Sequence, residues 1–107
     1  MAEKTAAFAA ETRWEGETAV LDLQGEINSQ ADAALDAAYA AAEQGNPPRI
    51  VLNFAGVDYI NSTGIALIVG LLARARTGHR SIIASGLSEH YREIFTITRL
   101  SDFMEIQ

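Results

Sequence analysis

The chain has 107 residues, of which 49% are hydrophobic, 14 are acidic and 8 are basic, and it contains no cysteine. This length fits one domain with one core, and the missing thiols exclude a disulfide framework, a thiolate metal site and a cysteine nucleophile. The formal net charge of −6 argues against binding to nucleic acid or to an anionic membrane surface, so a protein partner is the expected ligand class.

Neither a signal peptide nor a membrane span is predicted. Residues 1–4 do not form a basic region followed by a long apolar run, as a secretory signal would. The longest apolar stretch, residues 65–73, is interrupted by Gly70 and is too short to cross a bilayer. We therefore expect a soluble, cytoplasmic protein.

The first half of the chain predicts a hairpin, a helix and a strand. Apolar and polar residues alternate over residues 8–14 and 18–24, which is typical of two half-buried strands joined by a turn. Residues 28–44 predict a helix, and Gly45 is the expected left-handed residue that ends it. After two prolines, the continuous apolar run at residues 49–53 predicts a central strand covered on both faces.

The second half predicts two further helices and two strands. Helical spacing starts after Asn61, and a strand is predicted at residues 80–84. A third helix is predicted after Ser88, which can cap it, and residues 103–106 predict an edge strand. The order β-β-α-β-α-β-α-β predicts an α/β fold, a single domain over residues 1–107 with a mixed sheet of about five strands and helices mainly on one face. The buried stripe of the second helix is expected at Ile65, Ile68, Val69 and Leu72.

The most informative polar residue is Ser62, which lies in the sequence Asn61-Ser62-Thr63-Gly64 at the start of the second helix. In the structural interpretation, Asn61 caps the helix and the two hydroxyls are simply solvated there. In the functional interpretation, Ser62 accepts a phosphate, whose charge is tolerated at the positive end of the helix dipole. Such a modification would change the surface without unfolding the domain.

No catalytic, metal or cofactor site is predicted. A nucleophilic Ser62 would need a base and an orienting acid, but His79 and His90 are more typical of surface residues at these positions. The sequence has no Gly-x-Ser-x-Gly elbow, no phosphate-binding glycine loop and no carboxylate spacing of a metal motif. An enzyme that uses Ser62 as its nucleophile is kept only as a minor alternative.

Three segments resemble the STAS domain family: residues 23–28, residues 50–53 and residues 59–65, of which the last matches the family's signature loop. The similarity continues through residues 78–80 and 93–100 and so covers nearly the whole chain. In anti-sigma-factor antagonists of this family, the first hydroxyl of an Asp-Ser-Ser/Thr-Gly loop is phosphorylated by the partner kinase, which is itself the anti-sigma factor.

The resemblance implies an anti-sigma-factor antagonist with Ser62 as phosphoacceptor and Thr63 as a secondary acceptor. The unphosphorylated protein would bind an anti-sigma factor serine kinase of the histidine-kinase-like ATPase fold and thereby release a sigma factor. A serine phosphatase would reverse the modification. The residues expected to contact the partner, together with the face of the second helix, are Gly25, Glu26, Asn28, Ser29, Asn61, Ser62, Thr63 and Gly64.

Two departures from the family pattern shape the alternatives. Asn28 and Asn61 occupy positions where many antagonists have aspartate, so a second hypothesis is a constitutively docked scaffold subunit of a larger signalling (stressosome-like) or transport complex. The sequence ends at Gln107, near the last strand, where many relatives continue into another amphipathic helix. Apolar surface left uncovered there would favour a weak homodimer.

Overall fold

The computed structural model of the protein describes residues 7–107. The predicted element order is confirmed. Residues 1–6, which include the segment examined for a signal peptide, lie outside the described part, so the predicted domain boundary at residue 1 stays a prediction. No helix of the described residues is long and apolar enough to cross a membrane.

The elements are β1 (Ala9–Glu15), β2 (Thr18–Ile27), a 3₁₀ turn (Ser29–Ala31), α1 (Asp32–Gln44), β3 (Arg49–Ile60), α2 (Ser62–Thr77), β4 (Ser81–Ser85), α3 (Glu89–Ile97), a second 3₁₀ turn (Leu100–Asp102) and β5 (Glu105–Ile106).

The five strands form one mixed sheet in the order β1-β2-β3-β4-β5. β1 is antiparallel to β2, while the other neighbours are parallel, and β3 is the central strand, as predicted. In the register of β2 and β3, Ile27 lies beside Ile60, so the two strands end together. The residues that follow them therefore meet at one edge of the sheet.

All three helices pack on the same face of the sheet. Leu35 of α1, Ile68 of α2 and Phe95 of α3 share one core cluster with Leu21 and Leu52 of the central strands. This arrangement follows from the parallel crossovers, because a right-handed connection places each successive helix on the same side when the strand order runs in one direction.

The expectation that β3 is covered on both faces is wrong. Its buried residues, Ile50, Leu52 and Phe54, alternate with exposed or half-buried ones, and only the buried row faces the helices. On the open face, Val51 lies in register between Val20 and Ile83 of the neighbouring strands. Cross-strand packing of branched side chains explains the apolar run without a second layer.

Two local predictions at the helices also need correction. Gly45 has a φ of −86° and is not left-handed; that conformation belongs to Asn46, with a φ of 52°. A Cβ on Gly45 would lie 2.4 Å from the Trp14 ring, so a larger residue there would have to displace this partly exposed side chain. In α2, Val69 is exposed, and Leu71 and Ala75 complete the buried stripe in its place.

Candidate functional site

The two residues that follow the paired strands, Asn28 after β2 and Asn61 after β3, lie at the same sheet edge. The Asn61 N–H donates to the carbonyl oxygen of Ile27 at 3.2 Å, which joins the end of one strand to the residue beyond the other. After each asparagine, the backbone turns into helical structure: the 3₁₀ turn after Asn28 and α2 after Asn61. Two helical starts therefore lie side by side at this edge.

Each asparagine caps the turn that it precedes. The side-chain oxygen of Asn61 accepts the Gly64 N–H at 2.8 Å, and that of Asn28 accepts the Gln30 N–H at 2.9 Å. The capping predicted for Asn61 is confirmed, whereas Asn28 caps a 3₁₀ turn and α1 begins only at Asp32. A neutral amide oxygen fills this role as well as a carboxylate does, but it brings no charge to the neighbouring hydroxyls.

Ser62 and Thr63 are the first two residues of α2, and both are exposed. Within the described residues, neither hydroxyl makes a hydrogen bond to another protein group. The first backbone N–H groups of a helix are free of intrahelical partners and carry partial positive charge. The site can therefore hold an anionic group on Ser62 at the surface without disturbing the core.

Two glycines allow the backbone to pack at this edge. A Cβ on Gly64 would lie 2.1 Å from the carbonyl oxygen of Ile27, so only glycine lets α2 start directly against the end of β2. Gly25 has a φ of 90° and is buried, at an irregularity in the register of β2 with β3. A left-handed residue of this kind favours glycine.

The predicted contact residues fall into two groups. Ser29, Ser62 and Thr63 are exposed, with Asn28 and Asn61 half-buried beside them. The other three belong to the supporting backbone more than to the surface: Gly25 and Gly64 are buried, and Glu26 is half-buried in β2 beside Tyr59. The site, within the described residues, is thus a sheet edge that exposes three hydroxyls, those of Ser29, Ser62 and Thr63.

Sequence reasoning missed one residue of the site, Tyr91 of α3. Its buried hydroxyl accepts the Ile60 N–H at 2.8 Å and lies 3.3 Å from the Ile60 carbonyl oxygen, immediately before Asn61. The helical spacing of α3 identified Tyr91 as an apolar stripe residue and gave no signal for its hydroxyl, because the partner is 31 residues away in the chain.

Among the described residues, neither histidine makes a hydrogen bond to Ser62. α2 has 16 residues and is about 24 Å long, so His79, beyond its far end, is remote from Ser62. His90 is exposed and packs edge-on against Tyr91. The described part of the chain also contains no group of three side chains suited to a metal ion.

Comparison with known proteins agrees with the predicted family. Residues 10–106 match the family model described as Mlab, STAS domain. An anti-sigma-B factor antagonist of Staphylococcus epidermidis is 29% identical over 82 residues, which cover 77% of this chain and 76% of the relative. BtrV of Bordetella bronchiseptica is 32% identical over 76 residues, covering 71% of this chain and 66% of that protein.

Among solved structures, the fold is similar to SpoIIAA in two forms, of which the phosphorylated one is from Bacillus. The anti-sigma factor antagonist SpoIIAA in its unphosphorylated form is 27% identical with a TM-score of 0.66, covering 85% of this chain and 83% of SpoIIAA. The phosphorylated form is 26% identical with a TM-score of 0.69, and the match covers 94% of this chain and 91% of SpoIIAA. With nearly its whole length matched, this chain belongs to the STAS domain family.

Proposed function

We propose that this protein is an anti-sigma factor antagonist that phosphorylation of Ser62 switches off. The observation that carries the proposal is the exposed Ser62 hydroxyl at the first residue of α2. The relatives support it: the staphylococcal protein is named an antagonist, and SpoIIAA has been solved with and without phosphorylation. The antagonist function predicted from the sequence agrees with these names.

The proposed partner is an anti-sigma factor that is also a serine kinase of the histidine-kinase-like ATPase fold. It would contact the hydroxyls of Ser62 and Thr63 and the neighbouring Asn28 and Ser29. The exposed side of α2 extends this surface, because Ala66 and Val69 follow Ser62 at helical spacing and are both exposed. A serine phosphatase would restore the unphosphorylated form. Phosphorylation and dephosphorylation would both take place in the cytoplasm, where the kinase has access to ATP.

The switch depends on the interface and not on the fold. A phosphate adds a charge of about −1.5 to −2, which the positive end of α2 tolerates while the protein is free. In the interface with the kinase, the phosphate must lose its bound water. The free-energy cost of this desolvation weakens the complex. Asn28 and Asn61 add no like charge next to it, and the free phosphorylated protein is therefore expected to stay fully folded.

This role requires no catalysis by the chain itself. Ser62 is the acceptor: its oxygen bonds to the γ-phosphorus of ATP held by the kinase, ADP leaves, and the hydroxyl proton passes to a base of the kinase. The relatives with functional names are regulatory antagonists, in agreement with this view.

The test is to incubate the protein with magnesium, ATP and the anti-sigma kinases of its own genome, and then to measure the intact mass. Wild type and Thr63→Ala are expected to gain one phosphate, and Ser62→Ala none, because Ser62 is the acceptor. Ser62→Asp should weaken kinase binding by about tenfold or more. Unmodified wild type together with unchanged binding by Ser62→Asp would contradict the switch and favour the constitutive scaffold subunit.

A further inference from the structure

The end of β3 that leads to the site has a neighbouring strand on one side only. β2 pairs with β3 as far as Ile60, but β4 pairs with it only up to Asn53. After β4, Gly86 turns the chain with a φ of 74°, and a Cβ there would lie 2.7 Å from the Ala55 nitrogen. Most of β3 beyond this turn is exposed, but Ile60 is buried, and its N–H and C=O groups, which point away from β2, need other partners because buried N–H and C=O groups are costly to leave unpaired.

A single tyrosine hydroxyl supplies these partners at Ile60. The Ile60 N–H donates to the Tyr91 hydroxyl at 2.8 Å, and the hydroxyl donates to the Ile60 carbonyl oxygen at 3.3 Å. Tyr91 is itself fixed by the cap of α3, where its N–H donates to the Ser88 side-chain oxygen at 3.2 Å. The hydroxyl thus takes the place of the missing β4 strand.

This contact acts on the peptide group that carries the helix cap. The Ile60 carbonyl and the Asn61 N–H belong to one planar peptide unit. Tyr91 holds its oxygen, and the Ile27 carbonyl accepts its N–H at 3.2 Å. Because this peptide group is held at both its oxygen and its N–H, the Asn61 side chain is directed at the Gly64 N–H. Ser62 lies in the chain between Asn61 and Gly64.

We propose that Tyr91 is a positioning residue for the phosphoacceptor: it holds the Ile60–Asn61 peptide and thereby sets the orientation of Ser62. It does not need to touch Ser62. The effect on phosphorylation rests on the function proposed above, whereas the effect on the cap can be measured in the isolated protein.

The chain offers a matched control in Tyr39. This tyrosine is also buried, and its hydroxyl makes no hydrogen bond to a backbone group of the described residues; its polar neighbour is the Arg80 side chain. Tyr91→Phe and Tyr39→Phe therefore each remove one buried hydroxyl and keep the ring, but only the first releases the Ile60–Asn61 peptide.

Amide hydrogen exchange in the free protein tests the positioning directly. In Tyr91→Phe, the Ile60 and Gly64 amides should exchange about tenfold faster or more, relative to the Leu52 amide of β3. The reason is that their hydrogen bonds can then open locally, without unfolding of the sheet. In Tyr39→Phe, the ratio should stay at the wild-type value. An unchanged ratio in Tyr91→Phe would overturn the proposal and leave Tyr91 as a packing residue.

The kinase reaction tests the consequence for Ser62. In Tyr91→Phe, kcat for phosphorylation should fall several-fold more than KM rises, since a misdirected hydroxyl is bound but badly aligned; Tyr39→Phe should match wild type. If both variants are phosphorylated equally well, Tyr91 does not position Ser62. If wild type itself is not phosphorylated, the proposed function fails, and the exchange ratio alone decides whether Tyr91 holds the cap.

Discussion

Gly64 and Gly70 lie six positions apart in α2, but different constraints act on them. A Cβ on Gly64 would meet the Ile27 backbone at 2.1 Å, whereas a Cβ on Gly70 would have no atom within 4 Å apart from its chain neighbours and the backbone of its own helix. The first glycine is required by a close approach of two backbones. The second has no packing reason within the described chain, and it costs helix stability.

The two glycines should therefore respond to alanine in opposite directions. Gly64→Ala is expected to lower the free energy of unfolding by about 2 kcal/mol or more, because strand and helix must move apart. Gly70→Ala should raise it by about 0.5–1 kcal/mol through helix propensity alone. Urea denaturation of both variants measures these changes, and a Gly64→Ala protein as stable as wild type would contradict the close contact.

At the scale of elements, three strands are joined on the open face of the sheet by a polar network. Arg13 of β1 donates to the Asp22 carboxylate of β2 at 2.5 Å, and Asn53 of β3 donates to it at 2.8 Å. These hydrogen bonds, that of Arg13 first, lower the pKa of Asp22 below its ordinary value. The network explains how polar residues can line this face of the central strands.

The lowered pKa of Asp22 predicts a contribution to acid unfolding. A carboxylate with a depressed folded pKa stabilises the fold above its unfolded pKa of about 4, and this contribution is lost as the pH falls through the folded value. Asp22→Asn should therefore flatten the decrease in melting temperature below about pH 4. Asp58→Asn, at an exposed position without a side-chain hydrogen bond in the described chain, is the control; equal acid profiles for wild type and Asp22→Asn would refute the prediction.

At the scale of the whole molecule, large apolar side chains are exposed in the last part of the chain. Ile97 is 71% exposed and Phe103 is 54% exposed, and the Phe103 ring lies 5.8 Å from the Arg76 guanidinium. Aromatic and arginine side chains of this kind are common where proteins associate. The weak homodimer expected from the sequence stays a proposal, and this region is where we place it.

Sedimentation over a range of concentrations tests the homodimer. The average mass should rise with concentration, and it should rise more at higher salt, because the net charge of −6 makes two copies repel each other. Phe103→Ser should reduce the association, while Val69→Ser, a change of an exposed apolar residue of α2, should not. A monomeric mass at the highest concentration would exclude self-association.

The sequence by itself determined the order of the elements and the two clearest helix caps. Alternation, helical spacing and a capping side chain act within a few residues of one another, so they can be recognised without coordinates. Asn61 and Ser88 cap α2 and α3 as predicted. The exposed hydroxyl of Ser62 agrees with this local structure, because Ser62 directly follows the cap as the first residue of the helix.

Only the tertiary structure decided what supports the site. The contact of Gly64 with Ile27, the hydroxyl of Tyr91 on Ile60 and the space that Gly45 leaves for Trp14 each join residues about 30 or more positions apart. Such contacts depend on strand order, on register and on where β4 ends, and none of these is encoded in a local pattern. The single helical layer has the same origin, since an apolar strand can be shielded by a helix or by its neighbouring strands, and its own sequence does not distinguish the two.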